Sequence, residues 1–141
     1  MSMSDYYVRR ILTDHQVNQI RELIYDSNTC WESGFKTFGD SERHKRIKNN
    51  EILFGPTETL NQIYDIIWSG IDNDFKFFSM VAPETTGPPT ITRTVSGGRY
   101  RLHLDDPRNG DFSTTVFLSE PDTYEGGELN LKTIDGSLRF K

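Results

Sequence analysis

Arg93-Thr-Val-Ser-Gly97-Gly98-Arg99-Tyr100-Arg101-Leu102-His103-Leu104-Asp105 is the stretch that decides how this chain is read. A β-branched run ends at a glycine pair and an alternating run follows it, which reads as two strands joined by a turn. Side chains of an extended strand repeat every two residues, so His103 and Asp105 share a face. An imidazole and a carboxylate on one face are two donors of the 2-His-1-carboxylate set that holds non-haem Fe(II). The third donor of that set is a histidine, and the chain's two others, His15 and His44, both lie upstream. His44 belongs to a basic loop, and as a substitute ligand it would have to land within bonding distance of the ion.

Working outward, the period changes at residue 74. Strands are predicted over residues 75–81, 90–95, 99–105, 113–118, 128–132 and 137–140. Turn signals separate them at Pro88-Pro89, Gly97-Gly98, Asn109-Gly110, Gly126-Gly127 and Asp135-Gly136. A jelly roll uses about eight strands and the count here is roughly six, so the expectation is a jelly roll, or double-stranded β-helix, lacking its last strands. The unpaired edge of such a sheet invites pairing with a second copy, a route to a homodimer.

Upstream, residues 13–26 read as a helix. Thr13 and Gln16 form a capping box, and Val17, Ile20, Leu23 and Ile24 recur at helical spacing. A second helix is expected over residues 58–68, with Leu60, Ile63, Ile66 and Ile67 on its face and Gly70 to end it. Between them, residues 27–55 read as irregular and polar, broken at Gly34 and Gly39. Arg43, His44, Lys45, Arg46 and Lys48 cluster there, as a solvated loop or edge strand or as a surface that attracts an acidic substrate. Helices come first and strands after, so the class is α+β. The whole of residues 1–141 reads as one domain, helical over about 1–72 and a partial jelly roll over about 73–141.

Composition narrows the function classes. The chain has 141 residues, enough for one buried core without a disulfide. Nine Phe, six Tyr and two Trp argue for a packed interior. A net charge of −5 does not point to nucleic acid. No apolar run reaches membrane-spanning length, the N-terminus is too polar for a secretory signal, and the one cysteine, Cys30, excludes an internal disulfide. A cytoplasmic protein is the expectation.

The spacing of Gly97, Tyr100, His103 and Asp105 resembles the prolyl-4-hydroxylase-like branch of the Fe(II)/2-oxoglutarate-dependent dioxygenases, and most of all the bacterial and phage PKHD-type hydroxylases. The segment Asp111-Phe-Ser113-Thr114-Thr115-Val116-Phe117-Leu118-Ser119, followed by Tyr124-Glu125-Gly126-Gly127-Glu128-Leu129, is similar to that family's next strand pair. Trp31 and Lys48-Asn49-Asn50 match upstream. The sequence departs from the family at Thr94, where a tyrosine that helps hold the cosubstrate is usual.

The resemblance implies an oxygenase that uses Fe(II), 2-oxoglutarate and O₂, with ascorbate as an accessory. It would hydroxylate a protein, peptide or amino-acid side chain. It implies His103 and Asp105 as metal ligands. It also implies a second iron histidine and a basic 2-oxoglutarate anchor in C-terminal strands that these residues do not include, so the chain is expected to be a fragment. The alternative is a degenerate jelly-roll binding module without catalysis.

Four further residues are candidates for the cosubstrate or substrate pocket. Tyr100 falls opposite His103 in an ideal strand and reads as a core tyrosine, or as a pocket wall if a bulge at Gly97-Gly98 redirects it. Thr115 is either a plain strand residue or a cosubstrate hydrogen-bonding group. Arg93 is a solvated strand charge or a substrate contact, and Asn50 a backbone cap or a residue of the pocket mouth.

Overall fold

The computed structural model describes residues 6–35, 46–105, 108 and 110–141. Gly39, Arg43, His44 and Lys45, like Asp106, Pro107 and Asn109, lie outside the described residues.

The capping box forms as the sequence predicts. Helix α1 runs Asp14–Ile24, and Thr13 Oγ1 accepts from the Gln16 N–H at 3.3 Å. Thr13 N–H in turn donates to Gln16 Oε1 at 2.9 Å, so two amides without intrahelical partners are satisfied. Ile20 and Ile24, one turn apart, are buried. Helix α2 runs Thr57–Asp72, and its buried Ile63, Ile67 and Ile71 recur every four residues. With Leu12, Leu53 and Ile91 these side chains make the core.

Gly70 does not end α2 as expected. It sits inside the helix, where a Cβ would come within 2.6 Å of the Ile11 carbonyl oxygen and of Leu12 Cδ2. Its hydrogen is what lets residues 11–12 cross the helix this closely.

Residues 27–55, expected to be irregular, carry three strands: β1 Cys30–Ser33, β2 Lys48–Asn49 and β3 Glu51–Gly55. Strand β1 pairs antiparallel with β3, and β3 pairs antiparallel with β4, Thr92–Arg93. Strand β2 pairs with β5, Arg99–Tyr100. A hairpin of β6, Leu129–Thr133, and β7, Gly136–Phe140, follows, turning at Asp135-Gly136 where the sequence places a turn. Strands therefore precede α2 rather than following all the helices. The class is α+β.

The strands expected over 90–95 and 99–105 are shorter than their apolar alternation suggests. Residues 113–118 join no ladder among the described residues. Val116 and Leu118 still turn onto the core, and the Arg21 guanidinium donates to the Leu118 carbonyl at 2.5 Å, tying this segment to α1. Gly126 and Gly127 both have φ of +72°, the left-handed turn conformation expected of that pair. No helix among the described residues is long and apolar enough to cross a membrane.

The clearest correction is at residues 75–81. These form helix α3, Phe75–Val81, not a strand. Asp74 caps it, its Oδ1 accepting from the Lys76 and Phe77 N–H groups at 3.0 and 3.2 Å. Phe77 and Val81, four residues apart, are the half-buried pair.

Asp74 also receives the Arg9 Nε–H at 3.0 Å. The Arg9 hydrogen bond, helped by the two capping amides and opposed by burial, holds the Asp74 carboxyl below its usual value. The unfolded chain therefore binds a proton here more readily than the folded one, so the stabilisation is full above the ordinary Asp value of about 4 and is lost as pH falls through the folded-state value. Urea midpoints of the parent and of Asp74→Asn should be separated at neutral pH and converge in acid. A gap that stays constant into acid would show that the carboxylate charge contributes nothing.

Candidate metal centre

The site grows from one run of chain, residues 47–53, and its antiparallel partner, residues 91–101. Glu51 faces Arg93 and Ile52 faces Thr92, and Leu53 N–H donates to the Ile91 carbonyl at 2.9 Å. On the other side of Asn50, Asn49 faces Arg99, Lys48 faces Tyr100, and Arg101 N–H donates to the Ile47 carbonyl at 2.9 Å. Residues 94–98 thus stand opposite Asn50 alone, a large bulge in an otherwise continuous ladder.

The glycine pair makes this bulge. Gly98 N–H closes it onto the Val95 carbonyl at 2.7 Å, and Gly97 has φ of +78°. A Cβ on Gly98 would come within 2.8 Å of the carbonyl oxygens of both Asn49 and Val95. Strand β5 ends at Tyr100, so the alternation of side chains does not carry on to His103. Here the Tyr100 ring stacks on the His103 imidazole, with centroids 4.0 Å apart and planes 18° apart. The two residues would face opposite ways in an ideal strand.

His103 and Asp105 come together as their spacing predicts, although residues 101–105 are not in a regular strand. His103 Nδ1 lies 2.8 Å from the Arg101 carbonyl oxygen. A carbonyl can only accept, so Nδ1 carries the hydrogen and donates it. In the neutral ring Nε2 is then a bare lone pair. That lone pair faces Asp105 Oδ1 at 3.3 Å.

Two acceptors this close repel unless a cation lies between or beside them, either a proton on the ring or a metal ion. Neighbouring ligands at ~2.1 Å from one octahedral ion sit about 3 Å apart, so the pair fits a shared metal. A backbone carbonyl on the distal imidazole nitrogen is the usual way such a ligand is oriented. Among the described residues no third His, Cys, Asp or Glu completes a cluster with them.

The remaining candidates are spread more widely. Tyr100 joins the pair directly. Partial burial and then the Asp105 carboxylate push its phenol above the usual value, so the ring on His103 is uncharged at neutral pH. Asn50 is buried, but its side chain lies against Gly34. Its Oδ1 has no hydrogen-bond partner among the described residues, and a Cβ at position 34 would come 2.0 Å from it. Arg93 clips three strands together, with its Nε 2.7 Å from Glu51 Oε2 and its guanidinium 4.1 Å from the centre of the Trp31 ring. Thr115 is exposed. The structure brings none of these last three to His103.

Lys48 is the residue that sequence reasoning placed elsewhere. Grouped with a basic cluster that reads as a solvated loop or edge strand or as a surface for an acidic substrate, it lies on strand β2 and is only 6% exposed, with Nζ 4.9 Å from the centre of the Tyr100 ring. The available signal was the match of Lys48-Asn49-Asn50 upstream of the histidine.

No protein-family model matches the chain. Curated relatives do. A PKHD-type hydroxylase of Paraburkholderia xenovorans is 31% identical over 145 residues, covering 96% of this chain and 62% of that protein. One from Thermosynechococcus vestitus is 31% identical over 142 residues, covering 95% of this chain and 62% of its own length. One from Prochlorococcus marinus is 27% identical over 141 residues, covering 97% and 63%. The chain spans about three fifths of the length of these relatives. Over nearly all of its own length, this chain is similar to proteins named PKHD-type hydroxylases.

Proposed function

We propose that the chain carries the iron-holding part of an Fe(II)- and 2-oxoglutarate-dependent oxygenase that hydroxylates a protein, peptide or amino-acid side chain on a double-stranded β-helix scaffold in the cytoplasm. One observation carries this reading: His103 Nε2 and Asp105 Oδ1 face each other at 3.3 Å while the other ring nitrogen is held at the Arg101 carbonyl. The homology supports it.

In this reading His103 and Asp105 hold Fe(II), and the Arg101 carbonyl fixes the imidazole through Nδ1–H. Asp105 supplies a negative charge next to the metal. The uncharged Tyr100 ring covers the imidazole and keeps water from that side. Arg93, Asn50 and Thr115 are assigned to the cosubstrate or substrate pocket. The bound metal, with 2-oxoglutarate and O₂, would supply the oxidising power for C–H hydroxylation, the cosubstrate leaving as succinate and CO₂.

Anaerobic titration tests the assignment. The expected result is one Fe(II) bound per chain, with 2-oxoglutarate binding only after the metal. A folded chain that takes up no Fe(II) overturns it in favour of a non-catalytic binding module.

A further inference from the structure

Lys48 and Tyr100 are directly paired across the β2–β5 ladder, so their side chains leave the same face and meet. The meeting buries the ammonium: Lys48 is 6% exposed, and its Nζ lies 4.9 Å from the ring centre. Lysine is seldom placed this deep without compensation. Burial pushes its ammonium below the usual lysine value, and the negative face of an aromatic ring returns part of the lost solvation. The ring is thus held by a charge as well as by packing. That same ring stacks on His103 at 4.0 Å, and His103 faces Asp105 at 3.3 Å. The contacts form a chain from a buried cation to the metal-facing pair.

We propose that Lys48 is a positioning residue: acting through the Tyr100 ring, it holds the His103 imidazole in the orientation that presents Nε2 beside Asp105. The inference rests on the iron-site assignment above, but its test does not depend on metal alone. Two opposite effects distinguish it from a bystander charge. A lysine that acted only as a nearby cation would repel a divalent metal, so its removal would tighten binding. A lysine that positions the ligand gives the reverse sign, because the loosened imidazole must be re-ordered when metal binds. Loss of an outer-shell partner costs about 10–100-fold in metal affinity, and an indirect one belongs at the lower end, about 10-fold.

The experiment compares the parent chain with Lys48→Met, Lys48→Arg, Tyr100→Leu and the Lys48→Met/Tyr100→Leu double variant. Two quantities are read: the ring-proton NMR positions of His103 in the metal-free chain, and Co(II) affinity. The chain has three histidines, so the assignment is direct. Lys48→Met should move the His103 ring protons toward their unstacked positions and weaken Co(II) binding about 10-fold, at the lower end of the outer-shell range. Lys48→Arg, which keeps a cation on the ring, should restore both. In the Tyr100→Leu background Lys48→Met should change neither, because the ring that transmits its effect is gone.

Unmoved His103 protons in Lys48→Met, tighter Co(II) binding, or an equal effect with and without the Tyr100 ring each overturns the proposal. Should Lys48→Met fail to fold, Lys48→Arg decides: a folded Lys48→Arg with unstacked His103 protons refutes it. A parent chain that binds no Co(II) refutes the iron-site assignment, and the NMR arm still decides whether Lys48 positions His103.

Discussion

Replacing His103 by alanine is expected to weaken Fe(II) binding by at least about 100-fold, beyond the range that loss of an outer-shell partner produces. In the proposed site, the substitution removes one of the two donors that the described residues bring together. Its cost to the fold should be small. The His103 side chain is 34% exposed, and residues 101–105 add only the Arg101 amide to the ladder. Exposed substitutions of this kind stay within about 0.5 kcal/mol. Loss of metal with an unchanged urea midpoint is therefore the signature.

Two companions sharpen the result. Asp105→Asn keeps an oxygen donor but removes the charge, so it should weaken binding less than His103→Ala. His15→Ala, on the exposed face of α1, should bind like the parent. Anaerobic calorimetric titration reads all three. Equal affinity in His103→Ala and the parent would place the metal elsewhere and remove the central claim about this site.

The His103–Asp105 pair was legible because its geometry is local: two side chains two residues apart meet without any distant pairing. The capping box and isoleucine stripe of α1 were legible for the same reason, since their partners lie within a turn or two. What was not legible depends on distant pairing. Tyr100 reaches the face of His103 because the strand stops at Tyr100 and residues 101–103 do not keep its two-residue alternation, and where it stops is set by the pairing of Lys48 and Asn49 with Tyr100 and Arg99. Lys48 looks solvated when its charge is averaged with its neighbours. Its burial follows from the register that sets it against Tyr100.

The misreading of residues 75–81 has a different origin. A short apolar run is ambiguous between strand and buried helix. Here Asp74 resolves it by capping the Lys76 and Phe77 amides, an option that aromatic content alone does not reveal.

Gly70→Ala sets two local and tertiary effects against each other, and the tertiary one should win. Inside a helix, alanine is worth about 1 kcal/mol over glycine, so helix propensity alone predicts a more stable protein. Position 70 is buried, however, and the new Cβ would come within 2.6 Å of both the Ile11 carbonyl oxygen and Leu12 Cδ2. The Leu12 methyl belongs to the core and has little room to retreat. The carbonyl is backbone and cannot rotate away. It could yield only if the whole 9–12 segment lifted, which would strain the Arg9–Asp74 pair at the start of α3.

Overpacking a filled site costs about 1–3 kcal/mol, and contact with backbone belongs at the upper end, about 3. Subtracting the propensity gain of about 1 leaves a net loss of about 2 kcal/mol, or a fall in Tm of roughly 4–8 °C for a chain of this size. Gly87→Ala is the matched control, since a Cβ there meets nothing within 4 Å. It should stay within about 0.5 kcal/mol of the parent. Thermal and urea unfolding of the two variants decide the matter. If Gly70→Ala matches or exceeds the parent, residues 11–12 move off α2 cheaply, and the crossing does not depend on the glycine.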